Sequence, residues 1–202
     1  AMGSGSQAAG SGSVAIGYRA IASEQESIAI GDSGNKGVDK TPMTASASSV
    51  AIGYSVRIDS ASAGAAALGS TAKISGSPFA TAFGGFTNIT GSYGAVAVGV
   101  MAKATDARYA VALGSYSLAD RVAGSAGYDP ATGTHSTVTT SVWKSNLGAV
   151  SVGDAASGYT RQIINVAAGS ADTDAVNVAQ LKAVADSVSA SGLDFSANDA
   201  TS

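Results

Sequence analysis

The chain carries one histidine, His135, no cysteine, and 14 acidic residues against 11 Lys and Arg. Without cysteine there is no thiolate metal site, disulfide or sulfur nucleophile. A lone histidine cannot assemble a multi-histidine metal cluster or a proton relay within one chain. Threefold symmetry could gather three copies of His135, but the Thr/Ser/Gly-rich stretch around it gives that no support. Asp172 and Asp174 could pair as carboxylates, yet just ahead of a helical pattern they fit helix capping and dipole roles better. Neither a GxxxxGK[ST] phosphate loop nor a GxSxG elbow occurs. No catalysis, cofactor or metal is expected. A net charge of −3 opposes a general nucleic-acid surface. No run approaches the ~20 apolar residues of a membrane span, so this fragment is not expected to insert in a membrane.

Binding is left as the chemistry to look for. Arg57, Lys73 and Lys103 recur in one position of a repeat, interrupted by Asn88, and would form a basic ridge able to meet anionic polymers or acidic proteins, or simply solubilise a β-surface. Tyr18, Arg19 and Tyr54 stand near repeat corners, with Phe86 and Tyr116, while Tyr128 and Trp143 sit in an insertion. Aromatic and Arg side chains dominate binding hot spots, which makes these ligand-binding candidates.

The element that must position them is a repeat. Eight short phrases end in glycine, among them Ser13-Val14-Ala15-Ile16-Gly17, Ile28-Ala29-Ile30-Gly31, Val50-Ala51-Ile52-Gly53 and Val96-Ala97-Val98-Gly99. Their glycines, at 17, 31, 53, 69, 84, 99, 114 and 153, step by 14, 22, 16, 15, 15, 15 and 39 residues. The unit is long enough for two short strands and two turns. Apolar residues flank a small central one, the period-2 signature of a strand with two different faces. A second alternation follows each glycine, as in Val56-Arg57-Ile58 and Ala72-Lys73-Ile74, with the outer positions predicted inward and the middle one toward water. Each unit is therefore predicted to be a flattened coil stacked in parallel on the next, adding ~4.8 Å per layer.

The alanine column, Ala15 to Ala112 and then Ser151, suits a narrow lumen. Val14, Ile16, Ile28, Ile30, Val50, Ile52, Leu68, Phe83, Val96, Val98, Val111, Leu113, Val150 and Val152 then line the opposite face as one long apolar stripe. A patch of that kind marks an interface, and burial of the stripe among three chains about an axis is the expectation. The alternative is that the large residues fill the lumen of a monomeric coil.

The 22-residue step holds the polar stretch from Asp32 to Pro42, which reads as a surface loop. The 39-residue step holds Val122 to Leu147, read as a β-hairpin-like excursion anchored by Trp143. Past Arg161 an acidic cap candidate leads into a helical segment. There Leu181, Val184 and Val188 follow the 3-then-4 spacing of a coiled-coil seam. Ala1-Met2-Gly3-Ser4-Gly5-Ser6 reads as a cloning remnant, and the whole as a fragment of a longer protein.

On the Ser-Val-Ala-Ile-Gly phrases at 13–17 and 49–53 and on the connector Arg161-Gln162-Ile163-Ile164-Asn165-Val166-Ala167 through Asp174-Ala175-Val176-Asn177-Val178-Ala179-Gln180-Leu181, the chain resembles the trimeric autotransporter adhesins. The likeness is to their YadA-like head followed by a neck. Tyr128-Asp129-Pro130 to Trp143-Lys144-Ser145 looks like the head insert motif of some members. The resemblance implies a left-handed parallel β-roll, all-β, forming a homotrimer, then a neck and a short C-terminal coiled-coil helix. It also implies outer-membrane anchoring at the bacterial cell surface through a C-terminal translocator that is absent from this fragment. The implied neck residues are Arg161, Gln162, Ile163, Asn165, Val166, Asn177 and Gln180. Expected divisions are a tag and lead-in at 1–11, head repeats at 12–121, the insert at 122–147, a last coil at 148–160, the neck at 161–181 and the start of a stalk at 182–202, where Gly192 to Ser196 would open the next module. Tyr18 and Tyr54 stand where collagen-binding relatives often carry smaller polar residues, so collagen specificity does not transfer with the motif.

The functional expectation is a head that attaches to a host extracellular-matrix or cell-surface protein, or to its own kind, by multivalent display. One alternative is a rigid spacer with adhesion elsewhere in the parent protein. Another is a trimeric acyltransferase of the hexapeptide-repeat type, which the longer repeat and the isolated histidine oppose.

Overall fold

A computed structural model describes residues 1–32 and 46–190. The distal part of the polar loop and the Gly192 to Ser196 segment lie outside the described residues. Two compact units are present, 1–161 and 162–202.

The first unit is a parallel β-roll. One eight-stranded ladder takes the first strand of each repeat, from Val14–Ile16 through Ile28–Ile30, Val50–Ile52, Ala66–Leu68, Thr81–Phe83, Val96–Val98 and Val111–Leu113 to Val150–Ser151. Register is kept residue for residue, so Ala15, Ala29, Ala51, Ala67, Ala82, Ala97 and Ala112 form one line that ends on Ser151. A five-stranded ladder takes the second strands, Arg57–Ile58, Lys73–Ser75, Asn88–Thr90, Lys103–Thr105 and Leu118–Ala119.

The lumen between the ladders is lined by the alanine column and not by the large residues of the first strands. Every alanine of the line is at most 1% exposed, whereas Val14, Ile16, Leu68, Phe83, Leu113 and Val150 are exposed on the other face. From the second ladder Val56, Ile58, Ile74 and Ile89 complete the filling, with Ala72, Ala102 and Ala104 where the lumen is tighter. Burying each of those isoleucines is worth about 2 kcal/mol, and the alanines opposite leave the room for them.

Close stacking makes the corners exacting. Gly84 has φ of 136°, and a Cβ there would stand 2.6 Å from the carbonyl oxygen of Gly99 in the next layer. Both the conformation and the contact exclude a side chain. The same crowding repeats at Gly53 and Gly69, which is why the period can be read from glycines.

Residues 1–11, expected as a tag and lead-in, carry pairing of their own. Met2 bridges Ile16 in parallel, and Gln7–Ala8 pairs with Ile21–Ala22. The alternating side chains of Gln7-Ala8 match the second-strand pattern, and the pair forms a two-stranded sheet separate from the five-stranded ladder. Residues 148–160, expected as a last coil, add one strand and then reverse: Asp154 and Tyr159 form an antiparallel bridge. The Asp154 carboxylate holds that turn, accepting from Ser157 N at 3.3 Å and Ser157 Oγ at 2.7 Å.

The insert is a hairpin, Tyr128–Asp129 against Thr134–His135. Asp129 shapes its turn by accepting from Ala131 N at 2.9 Å through the side chain and from Gly133 N at 2.9 Å through the carbonyl. Trp143 is half-buried, its carbonyl taking the Gly127 N–H at 2.6 Å. The His135 ring is spent on structure, its Nδ1 lying 3.1 Å from the carbonyl oxygen of Ala126.

The second unit holds the helix Val178–Ala190. Its cap is Asn177, whose Oδ1 accepts from Gln180 N at 3.1 Å, and not an aspartate as the sequence suggested. Asp174 sits too early to reach the helix. It closes the preceding turn, accepting from Ser170 N at 2.9 Å and Ala171 N at 3.0 Å, and these bonds hold its pKa below the usual carboxylate range.

Candidate interaction surfaces

Four surfaces follow from this geometry. The first is the apolar stripe. Every second residue of a three-residue strand must turn inward, so the flanking pairs, such as Val96 with Val98 and Val111 with Leu113, share the outer face and stack in register. Ile28, Ile30, Val50, Ile52, Val96, Val98, Val111 and Val152 are half-buried by their neighbours, while Phe83 is 52% and Val150 66% exposed.

The second is the basic column. Arg57 pairs with Lys73, Lys73 with Asn88, Asn88 with Lys103, and Lys103 with Leu118, each the first residue of its second strand. The sequence-derived candidates thus fall on one line, with Lys103 two layers from Lys73. Tyr18, Arg19 and Tyr54 stand instead at the turn after the first strand, where Arg19 lies 5.1 Å over the Tyr18 ring. Tyr128, 63% exposed, and Trp143 belong to the insert, so the eight candidates do not converge on one site.

The third surface, at the opposite corner, was missed. Phe79, Tyr93 and Tyr109 form an edge-to-face series with centroids 5.6 and 5.5 Å apart. The Arg108 guanidinium lies 5.0 Å over Tyr93 and 5.7 Å from Tyr109. Phe79 and Tyr109 adopt left-handed φ of 58° and 59°, and their rings lie over Gly64 and Gly94 of the preceding layers. The signal in the sequence is the alternation Gly64, Phe79, Gly94, Tyr109 at a spacing of 15 residues. A ring fits there only above a residue with no Cβ.

The fourth is the end of the roll, and the neck of the second unit is taken by itself. Arg161 reaches Ser117 Oγ at 3.3 Å, the Ser115 carbonyl at 2.6 Å and the Val152 carbonyl. Within the second unit, Gln180 brackets Gly169, donating to its carbonyl at 2.9 Å and accepting from its nitrogen at 3.0 Å. Asn177 donates to the Val166 carbonyl at 3.2 Å. Of the other implied neck residues, Gln162, Ile163 and Asn165 are exposed, with Asn165 at φ of 61°. Leu181 and Val184 are exposed on the helix at 64% and 60%, and Val188 is partly covered. Among the described residues no group of three His, Cys, Asp or Glu could hold a metal ion, and no helix is long and apolar enough to cross a membrane.

Comparison with known proteins matches several stretches of the chain. Residues 1–20, 8–33 and 92–117 match the YadA head domain repeat, and residues 162–202 match the coiled stalk of trimeric autotransporter adhesin. The Autotransporter adhesin BadA of Bartonella henselae is 59% identical over 76 residues, covering 38% of this chain and 2% of that protein. The Trimeric autotransporter adhesin AtaA of Acinetobacter sp. (strain Tol 5) is 54% identical over 77 residues, covering 36% of this chain and 2% of its own length. The chain therefore spans about 2% of the length of these curated relatives.

Proposed function

Because the chain belongs to the YadA-like trimeric autotransporter adhesins, we propose that residues 12–153 act as the adhesive head of a homotrimer. One observation carries the reading. The bulky aliphatic face is turned out of a roll whose lumen is already filled by alanine, and six of its residues are 39–66% exposed in a single chain. A second and a third copy are the natural cover for such a stripe. The exposed seam residues Leu181 and Val184 continue the same need into the helix.

With the stripe turned to the axis, the basic column and the aromatic corners are displayed three times over. Attachment to a host matrix or cell-surface protein then rests on repetition of modest contacts. No catalytic step is assigned. The parent protein would present this head on the bacterial surface, anchored in the outer membrane by a translocator.

Sedimentation of the chain and of Phe83→Glu/Leu113→Glu, with binding of both to immobilised collagen, fibronectin and laminin, tests the reading. A trimer that binds one of these, and a monomeric variant that loses it, is the expected result. A well-folded monomer in dilute solution would overturn the assignment of faces. A trimer that binds nothing, together with unchanged cell attachment after deletion of residues 12–153 from the parent, would make the head a spacer.

A further inference from the structure

The insert does more than project a hairpin: its base closes a cavity against the aromatic corner. Asp106, Arg108 and Tyr109 from the roll face Val122, Ala123, Asn146 and Leu147 from the two ends of the insert across about 320 Å³. That is the lower end of the range for small-molecule sites. The walls are fixed by the backbone, with Gly148 N donating to the Arg108 carbonyl at 3.1 Å and Ala149 N to the Arg121 carbonyl at 3.0 Å. Gly148 is pressed so close that a Cβ would lie 2.5 Å from the Arg108 carbonyl oxygen. The Arg108 guanidinium makes its described contacts with aromatic rings and not with a carboxylate, so its flat face is held while its donor edge is available. Leu147 and Val122, 53% and 52% exposed, offer apolar surface beside the Tyr109 ring.

We propose that this cavity binds a carboxylated pyranose, one sugar residue with a carboxylate on its edge and C–H bonds on its face. The guanidinium fork matches a carboxylate with two parallel hydrogen bonds. The Tyr109 ring, Leu147 and Val122 cover the C–H face, and the side chains of Asn146 and Asp106 supply acceptors and donors for hydroxyls. The single guanidinium suits one carboxylate and disfavours a cluster of sulfates, which would need several cations. The proposal deepens the adhesive reading but rests on residues of a single chain.

The test is saturation-transfer NMR and calorimetry on the full chain with 3′-sialyllactose, a hyaluronan tetrasaccharide, neutral lactose and a tetra-glutamate peptide. Binding of the sialyl or the uronate sugar at least tenfold tighter than lactose and the peptide is expected, and whichever of the two binds identifies the source of the sugar. Arg108→Gln and Asn146→Ala should each weaken it tenfold or more, while Lys182→Gln, which removes an exposed cation from the helix, leaves it unchanged. Equal binding of lactose, equal binding of the peptide, or an unaltered Asn146→Ala chain that folds normally would overturn the proposal. Immobilised matrix proteins measured in parallel separate its failure from failure of the adhesive reading: loss of sugar with retained matrix binding sinks only the cavity.

Discussion

The hydroxyl oxygen of Ser77 accepts a hydrogen bond from the backbone nitrogen of Ser92, one coil further along, at 2.9 Å. The relationship repeats. Ser62 Oγ takes Ser77 N at 3.0 Å, and Ser92 Oγ takes Ala107 N at 3.1 Å. Each hydroxyl of Ser77 and Ser92 also donates to a carbonyl two residues back, Ser75 and Thr90, at 2.8 Å. At this corner the chain leaves the ladder and its N–H groups lose their strand partners inside the protein. The serine line supplies them, and it ends at Ala107, which has no hydroxyl to pass it on.

Ser77→Ala should therefore cost more than an average surface change. The Ser92 N–H would be buried without an acceptor, a loss of about 1–3 kcal/mol. Denaturant unfolding of the chain measures it, and Ser60→Ala at an exposed position is the near-neutral control.

How far the sequence could be read follows from what each residue must satisfy. The ladders were legible because Gly84 and its equivalents admit no side chain, and because Ala97 between Val96 and Val98 states which face is narrow. The serine line was not, since Ser77 and Ser92 look like ordinary turn residues and their role appears only when coils stack. The aromatic corner was hidden for the same reason. Phe79, Tyr93 and Tyr109 are neighbours through layers and not through local sequence, and left-handed φ at Phe79 runs against its intrinsic preference. The helix was expected to open on an aspartate and opens on Asn177, a difference of three residues from Asp174 that only the hydrogen bonds resolve.

Ala97 fixes the width of the lumen, so Ala97→Leu should be damaging although it adds apolar surface. The side chain has no space at a position that is 0% exposed, and overpacking costs about 1–3 kcal/mol. Val98→Leu on the outer face should shift the unfolding midpoint little in a single chain, and the contrast between the two is the readout.

Asp59 ties two coils together. It accepts from Ser62 Oγ and Ser75 Oγ at 2.6 Å each and from the nitrogens of Gly76 and Ala61. Partial burial raises its pKa, but these hydrogen bonds outweigh that and leave it below the usual value. A lowered folded pKa stabilises the protein above the unfolded value of about 3.9 and withdraws that stability as pH falls through the folded one. Asp59→Asn should be less stable than the parent at pH 7, and the gap should close below about pH 4. Unfolding curves over that interval measure the closure.

Gln180 fastens the segment before the helix by a two-point amide contact with Gly169, geometry that a shorter or charged side chain cannot reproduce. Gln180→Ala should speed hydrogen exchange at Gly169 N at least tenfold, and Gln180→Glu should do so too, because it has no donor for the Gly169 carbonyl. Exchange at Ser92, deep in the roll, should stay unchanged.

Arg161 closes the terminal layer of the roll, where the carbonyls of Ser115 and Val152 would otherwise lack a coil to pair with. Its planar fork serves three oxygens from two nitrogens, Nη1 reaching Ser117 Oγ and the Val152 carbonyl and Nη2 the Ser115 carbonyl, a spread that the point charge of a lysine ammonium does not reproduce. In a stack whose layers touch only their neighbours, loss of this cap should fray the end and spare the middle. Arg161→Lys and Arg161→Ala should both accelerate exchange at Leu118 N, which donates to the Gly153 carbonyl at 2.8 Å, by about tenfold, the equivalent of ~1.4 kcal/mol of local stability. Exchange at Val96 and Lys73 should not move. If those interior amides loosen equally, Arg161 supports the whole roll and not its last layer.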